Sequence, residues 1–193
     1  MLKSFVLAYL VGSLPNAYLF ARWFGGQDIR KLGSKNAGAT NVTTSVGWLP
    51  GMLTLVCDLG KGYLSALIGE VMSGQGLLPV FAPACAIAGH NWPVWLGFRG
   101  GGGLATFVGA SLRLTGWPMA ACSLALWGLL YYFIRDHDTS AIAACMLLPC
   151  AVLATRQSLH TVVFIASSSL AVLLRRVQSL RQRIRRNRPA HDS

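Results

Sequence analysis

The chain reads as a series of long apolar runs separated by short polar, glycine-rich stretches, and seven of the runs predict helices. The first covers about Leu2 to Phe24 and carries Pro15 inside it. The second, about Trp48 to Met72, holds Asp58 and Lys61 among its apolar residues. The third runs from about Leu77 to Leu96. The fourth, about Gly103 to Leu114, is too short to cross a bilayer comfortably, since a crossing takes roughly 20 residues. The fifth covers Trp117 to Ile134, the sixth Thr139 to Ala154 and the seventh Leu159 to Leu174. The N-terminal run follows a single lysine, Lys3. It offers no clear small-residue cleavage site and continues through Leu19 and Phe20, so it reads as a retained helix rather than a signal peptide.

Composition narrows the class. The chain is 53% hydrophobic and 12% charged, where a soluble domain carries about 25% charged residues. Its mean hydropathy is +0.50. These values exclude an ordinary soluble enzyme and predict an all-α integral membrane protein of about seven transmembrane helices. Cys57, Cys85, Cys122, Cys145 and Cys150 all fall in apolar runs without ligand spacing, so they read as packing residues, and neither a metal site nor a disulfide framework is expected.

Charge adds an orientation. The net charge is +11. With seven crossings, loops one, three and five share a side with the C-terminal tail. That side collects Arg22, Arg30, Lys31, Lys35, Arg99, Arg135 and the tail arginines, leaving only Lys3, Arg113 and Arg156 opposite and Lys61 within a helix. The positive-inside rule then places the N-terminus in the periplasm and the C-terminus in the cytoplasm of a bacterial inner membrane. Residues 1–174 form the membrane domain and residues 175–193 a basic cytoplasmic tail. Val177, Leu180 and Ile184 lie three and four apart in that tail, which suits a short amphipathic helix on anionic membrane lipids rather than a nucleic-acid contact.

Three polar segments carry the candidate chemistry. Residues 25–47 crowd Gly, Ser, Asn and Thr around Arg30, Lys31 and Lys35; small residues let the backbone approach a ligand, and successive N–H groups can cradle an anion. Such a run also reads as a flexible connection. In residues 57–62, Asp58 and Lys61 stand three apart on one helix face and can pair; an ion pair binding two helices and a functional polar site are both open. In residues 89–106, His90 precedes Pro93, and four glycines, Gly100 to Gly103, open the next helix, whose N-terminus favours an anion.

Taken together, the three segments resemble the acylphosphate-dependent glycerol-3-phosphate acyltransferases of bacterial membranes, the PlsY family. The matches are GSLP at 12–15, DIR at 28–30, GSKNAGATN at 33–41, DLGKG at 58–62 and GHNWPVWLGFRGGGGLAT at 89–106. The resemblance implies transfer of an acyl group from acyl phosphate to the 1-hydroxyl of glycerol 3-phosphate, giving lysophosphatidic acid, without a cofactor or metal. It implies Ser34 and His90 at catalytic positions. It places Gly33, Lys35, Asn36, Gly38, Thr40 and Asn41 along a substrate-lining loop, and Gly100, Gly101, Gly102 and Gly103 in a phosphate loop. Whether His90 or a phosphate oxygen of the donor takes the proton stays open. The chain departs from the family where cations are expected: the phosphate-loop lysine is Gly102 here, and an arginine after the first motif falls at about Thr44. Arg99, Lys35 and Arg175 are the cations left to take over. The same departures leave a second reading, a re-purposed family member that binds lipid or protein in the membrane.

Overall fold

The computed structural model describes residues 2–74 and 76–187. It is all-helical: α1 (Leu2–Gly12), α2 (Asn16–Gly25), α3 (Ala39–Ser45), α4 (Trp48–Ser73), α5 (Ala82–Asn91), α6 (Leu104–Leu114), α7 (Gly116–Ile134), α8 (His137–Ala154) and α9 (Leu159–Asn187), with single 3-10 turns at Ile29–Lys31, Leu78–Phe81 and Val94–Leu96. Among the described residues, five stretches are long and apolar enough to span a membrane: Leu2–Gly25, Trp48–Ser73, Gly116–Ile134, His137–Ala154 and Leu159–Arg185.

Three expected runs come out differently, each for a local reason. The first is broken into α1 and α2 at Ser13–Pro15, because Pro15 has no N–H to continue the ladder. The third, expected over 77–96, is a turn, the 10-residue α5 and a second turn. Pro79 and Pro83 lie at its start, and Pro93 follows the last α5-type bond, from Trp92 N–H to the Ala88 carbonyl. The seventh does not stop at Leu174: α9 runs unbroken to Asn187, so residue 175 lies within a helix. Residues 188–193 of the expected tail, Arg188 among them, lie outside the described residues.

Helix α4 is the centre of the bundle and packs on α1, α2, α3, α5 and α6. Small residues allow close crossings, as is usual where lipid replaces water and backbone approach drives association. On the α4–α6 crossing, a Cβ at Gly62 would strike the Thr106 carbonyl, and one at Gly109 would strike the Leu59 carbonyl. Phe107 of α6 stacks on Phe164 of α9 with ring centroids 5.8 Å apart, in a core with Ile87, Val108, Ile165 and Val172. Outward faces carry large apolar side chains, including Val56, Trp117, Leu129, Phe133 and Met146, as a bilayer-facing surface requires.

Candidate active site

The loop between α2 and α3 is tied down from inside. The buried Asn41 side chain donates to the carbonyls of Ile29, Leu32 and Asn36 at 3.2, 3.1 and 2.9 Å and accepts from Ser34 N–H at 3.1 Å and Ser45 Oγ at 3.2 Å. Its amide is fully engaged, so Asn41 shapes the loop rather than facing a ligand. Gly33 crosses this amide at φ 46°, where a Cβ would press on Asn41 Oδ1. Lys35 also has positive φ, 62°, and donates its N–H to the Leu32 carbonyl at 2.8 Å. Gly38 precedes α3. Ser34, Lys35 and Thr40 are exposed and Asn36 is half-buried.

Arg30 is not a free cation. It pairs with Asp28 at 2.7 Å and donates from Nη1 to the Leu96 carbonyl at 3.1 Å, joining this loop to the segment after α5. The guanidinium beside Asp28 holds its carboxyl below the usual carboxylate range, against the opposing effect of burial.

Beneath the loops lies a polar cluster that stitches the α1–α2 break, α2, α4 and α5 together. Asp58, 2% exposed, accepts from Lys61 Nζ at 2.9 Å and Asn16 Nδ2 at 3.3 Å through the same oxygen. Lys61 also donates to the Leu14 carbonyl at 3.0 Å, in the α1–α2 break, where Asn16 N–H bonds the same oxygen at 3.0 Å. His90, 7% exposed, brings Nδ1 to 3.6 Å from Asp58, close enough for a charge contact and too long for a hydrogen bond. A cleft of about 10 Å³ separates these residues from Ala37, Gly100 and Gly101, room for little more than a water-sized group.

The glycine-rich loop closes over His90. Gly101 N–H bonds the His90 carbonyl at 3.0 Å and Gly100 N–H the Asn91 carbonyl at 3.2 Å. A Cβ at Gly101 would meet both His90 Nε2 and the Ala37 carbonyl, so the first and third polar segments touch at this glycine, and Asp58 and Lys61 of the second line the same cleft. Gly103, at φ 80°, packs against the Asn91 side chain and opens α6, whose first N–H groups have no intrahelical acceptor. Arg175 of α9 fastens the loop from above, donating to the carbonyls of Gly101 at 3.0 Å and Gly100 at 2.8 Å.

Gly102 faces Arg176. A Cβ there would run into the Arg176 guanidinium, whose Nη1 is held by Asp138 at 2.8 Å. Arg99, by contrast, is exposed. Four residues of this neighbourhood were not singled out from the sequence: Asn16, Asn91, Asp138 and Arg176. Asn91 sits inside a recognised motif and binds the Ala171 carbonyl at 2.9 Å. The others meet the site only through long-range packing, which local spacing does not reveal.

A family model described as glycerol-3-phosphate acyltransferase matches residues 2–186. A glycerol-3-phosphate acyltransferase of Synechococcus sp. (strain CC9902) is 39% identical over 169 residues, covering 88% of this chain and 84% of that protein. One of Parasynechococcus marenigrum (strain WH8102) is 36% identical over 183 residues, covering 95% and 86%. The crystal structure of PlsY (YgiH), an integral membrane glycerol 3-phosphate acyltransferase in its glycerol 3-phosphate form, superposes with a TM-score of 0.80 at 27% identity, over 100% of this chain and 95% of that one. Its lysophosphatidic acid form gives 0.77 at 24% identity, over 97% and 93%. With the first and third motifs meeting at Gly101, and a family model and relatives matched over most of its length, this chain belongs to the glycerol-3-phosphate acyltransferase family, the family of PlsY.

Proposed function

We propose that the protein transfers an acyl group from acyl phosphate to the 1-hydroxyl of glycerol 3-phosphate, producing lysophosphatidic acid for phospholipid synthesis. The observation that carries this reading is the meeting of the first-loop carbonyl of Ala37, the imidazole of His90 and the glycine loop at Gly101. The hydroxyl oxygen attacks the acyl carbonyl carbon, the carbon–oxygen bond to phosphate breaks, and inorganic phosphate leaves with the bonding pair. The donor is already activated, so positioning supplies much of the rate. We place the phosphates at the glycine loop, beside the cleft lined by His90, Gly100 and Gly101. Since Gly101 lies against Nε2, His90 fixes the loop, and the hydroxyl proton goes to an oxygen of the departing phosphate. Ser34, exposed on the facing loop, orients the substrates.

Purified protein given acyl phosphate and glycerol 3-phosphate is expected to release phosphate and form lysophosphatidic acid. Ser34→Ala and His90→Ala are each expected to lower the rate by about 100-fold or more, the scale of a lost positioning or proton-transfer group. Added imidazole should not restore His90→Ala. Rescue by imidazole would make His90 the base, and folded variants with normal rates would remove both residues from the reaction.

For the topology we propose seven crossings, with α5 and α6 completing the set as short helices wedged between longer ones, the N-terminus periplasmic and the polar loops cytoplasmic. The basic asymmetry of the sequence supports it. A reporter that works only in the periplasm, fused at the C-terminus, is expected to stay silent, and its activity would reverse the orientation. The exposed arginines Arg181 and Arg185 at the end of α9 suit anionic headgroups. Vesicle binding by a tail fusion should therefore weaken with salt, and salt-independent binding would count against it.

A further inference from the structure

The glycine loop lacks a charged side chain of its own, yet a cation stands on it. Nη2, Cζ and Nε of Arg176 are the three atoms nearest to where a Cβ of Gly102 would be. Nε and Nη2 form one fork of the guanidinium, the pair that binds a phosphate through two parallel hydrogen bonds. The opposite corner is already held: Nη1 bonds Asp138 Oδ1 at 2.8 Å, and Asp138 is steadied in turn by Ser179 Oγ at 3.0 Å. The Arg176 side chain is only 12% exposed. Its Nε is buried and has no hydrogen-bond partner among the described residues. A buried donor without a partner is costly unless something fills it. Arg175, next in the chain, already binds the loop carbonyls, so α9 delivers one arginine to hold the loop and a second whose guanidinium lies on it at Gly102.

We propose that Arg176 is the phosphate-binding cation of this site, its guanidinium occupying the space that a side chain at position 102 would otherwise fill. This rests on the acyl-transfer reading above. It makes Gly102 and Arg176 a matched pair: the glycine is required because the arginine lies on it, and the arginine is required because the glycine carries no charge. Asp138 is the positioning residue that aims the fork. The ligand is the phosphate common to glycerol 3-phosphate and acyl phosphate.

The test is a swap in the full-length protein in detergent. Dissociation constants for glycerol 3-phosphate and inorganic phosphate are measured by calorimetry, beside KM for each substrate. Arg176→Ala is expected to weaken binding of one phosphate substrate by about 10- to 100-fold, the range for a lost charged hydrogen bond, with kcat less affected. Whichever substrate's KM moves identifies the phosphate that is held. Arg176→Lys should retain part of the affinity, and Arg156→Ala, a change at an exposed arginine between α8 and α9, should change neither constant. Gly102→Lys alone should impair binding, because the new side chain collides with Arg176. Combined with Arg176→Ala, Gly102→Lys should recover affinity, whereas Gly102→Ala in that background should not. Recovery by alanine as good as by lysine would mean that only space is being filled, and would overturn the proposal. Turnover by the unmodified protein with unchanged constants in Arg176→Ala would overturn it and leave the acyl-transfer reading intact. Arg176-dependent binding without turnover would do the reverse. A protein that neither binds nor turns over would overturn both.

Discussion

Asp58→Ala is expected to be the most damaging single change in the membrane bundle. It removes the only carboxylate that touches Lys61 among the described residues and leaves a lysine with 4% of its side chain exposed facing the Leu14 carbonyl alone. Breaking a buried pair by deleting one partner typically costs about 3–5 kcal/mol, a large part of the margin of most domains. Asn16 and His90 lose their neighbour as well. Protein carrying Asp58→Ala should accumulate poorly and unfold at a lower temperature in detergent. Asp58→Asn, which keeps an acceptor oxygen, should fall between. Replacing Asp58 and Lys61 together by Asn and Met should recover part of the stability, since no lone charge is then left inside. Wild-type melting of Asp58→Ala would refute this account of the cluster.

The second large effect is expected where α4 and α6 touch. Gly62→Ala would drive a methyl into the Thr106 carbonyl, and Gly109→Ala would drive one into the Leu59 carbonyl. Neither obstacle is a side chain that can swing away. The helices must part, and overpacking of this kind costs about 1–3 kcal/mol or more. Because α6 begins at the glycine loop, the displacement should reach the site, so activity should fall further than stability. Gly60→Ala and Gly128→Ala are the contrast, with nothing within 4 Å of the added methyl. They should be neutral or stabilising by up to about 1 kcal/mol through helix propensity. Equal melting temperatures across all four variants would show that the crossing tolerates separation.

The sequence carried much of this in legible form. Apolar runs locate α4, α7 and α8 to within a few residues, because each is continuous over about the length of a bilayer crossing, even with Pro149 inside α8. Asp58 and Lys61, three apart, point to one face, and they pair at 2.9 Å. Prolines were the less readable element. Pro15 splits the first run, and Pro79, Pro83 and Pro93 shorten the third. Proline is tolerated within or at the ends of membrane helices when neighbours satisfy the freed carbonyls, and that depends on partners far along the chain, as Lys61 is for Leu14. The absent charge at Gly102 was visible. Its counterpart was not, because Arg176 reads locally as one of many tail arginines and acquires its role only when α9 crosses the glycine loop. The expected boundary after Leu174 hid this by assigning the arginine to a separate tail, whereas α9 continues through it.

The attachment of Arg175 to the carbonyls of Gly100 and Gly101 also sets an order of events during synthesis. A ribosome makes the glycine loop long before it makes the arginine that secures it. At about 5–20 residues per second, the wait is roughly 4 to 15 seconds. Until then the nascent chain carries motifs from all three segments but no finished site. Messages cut short anywhere before α9 therefore yield membrane fragments without a secured loop.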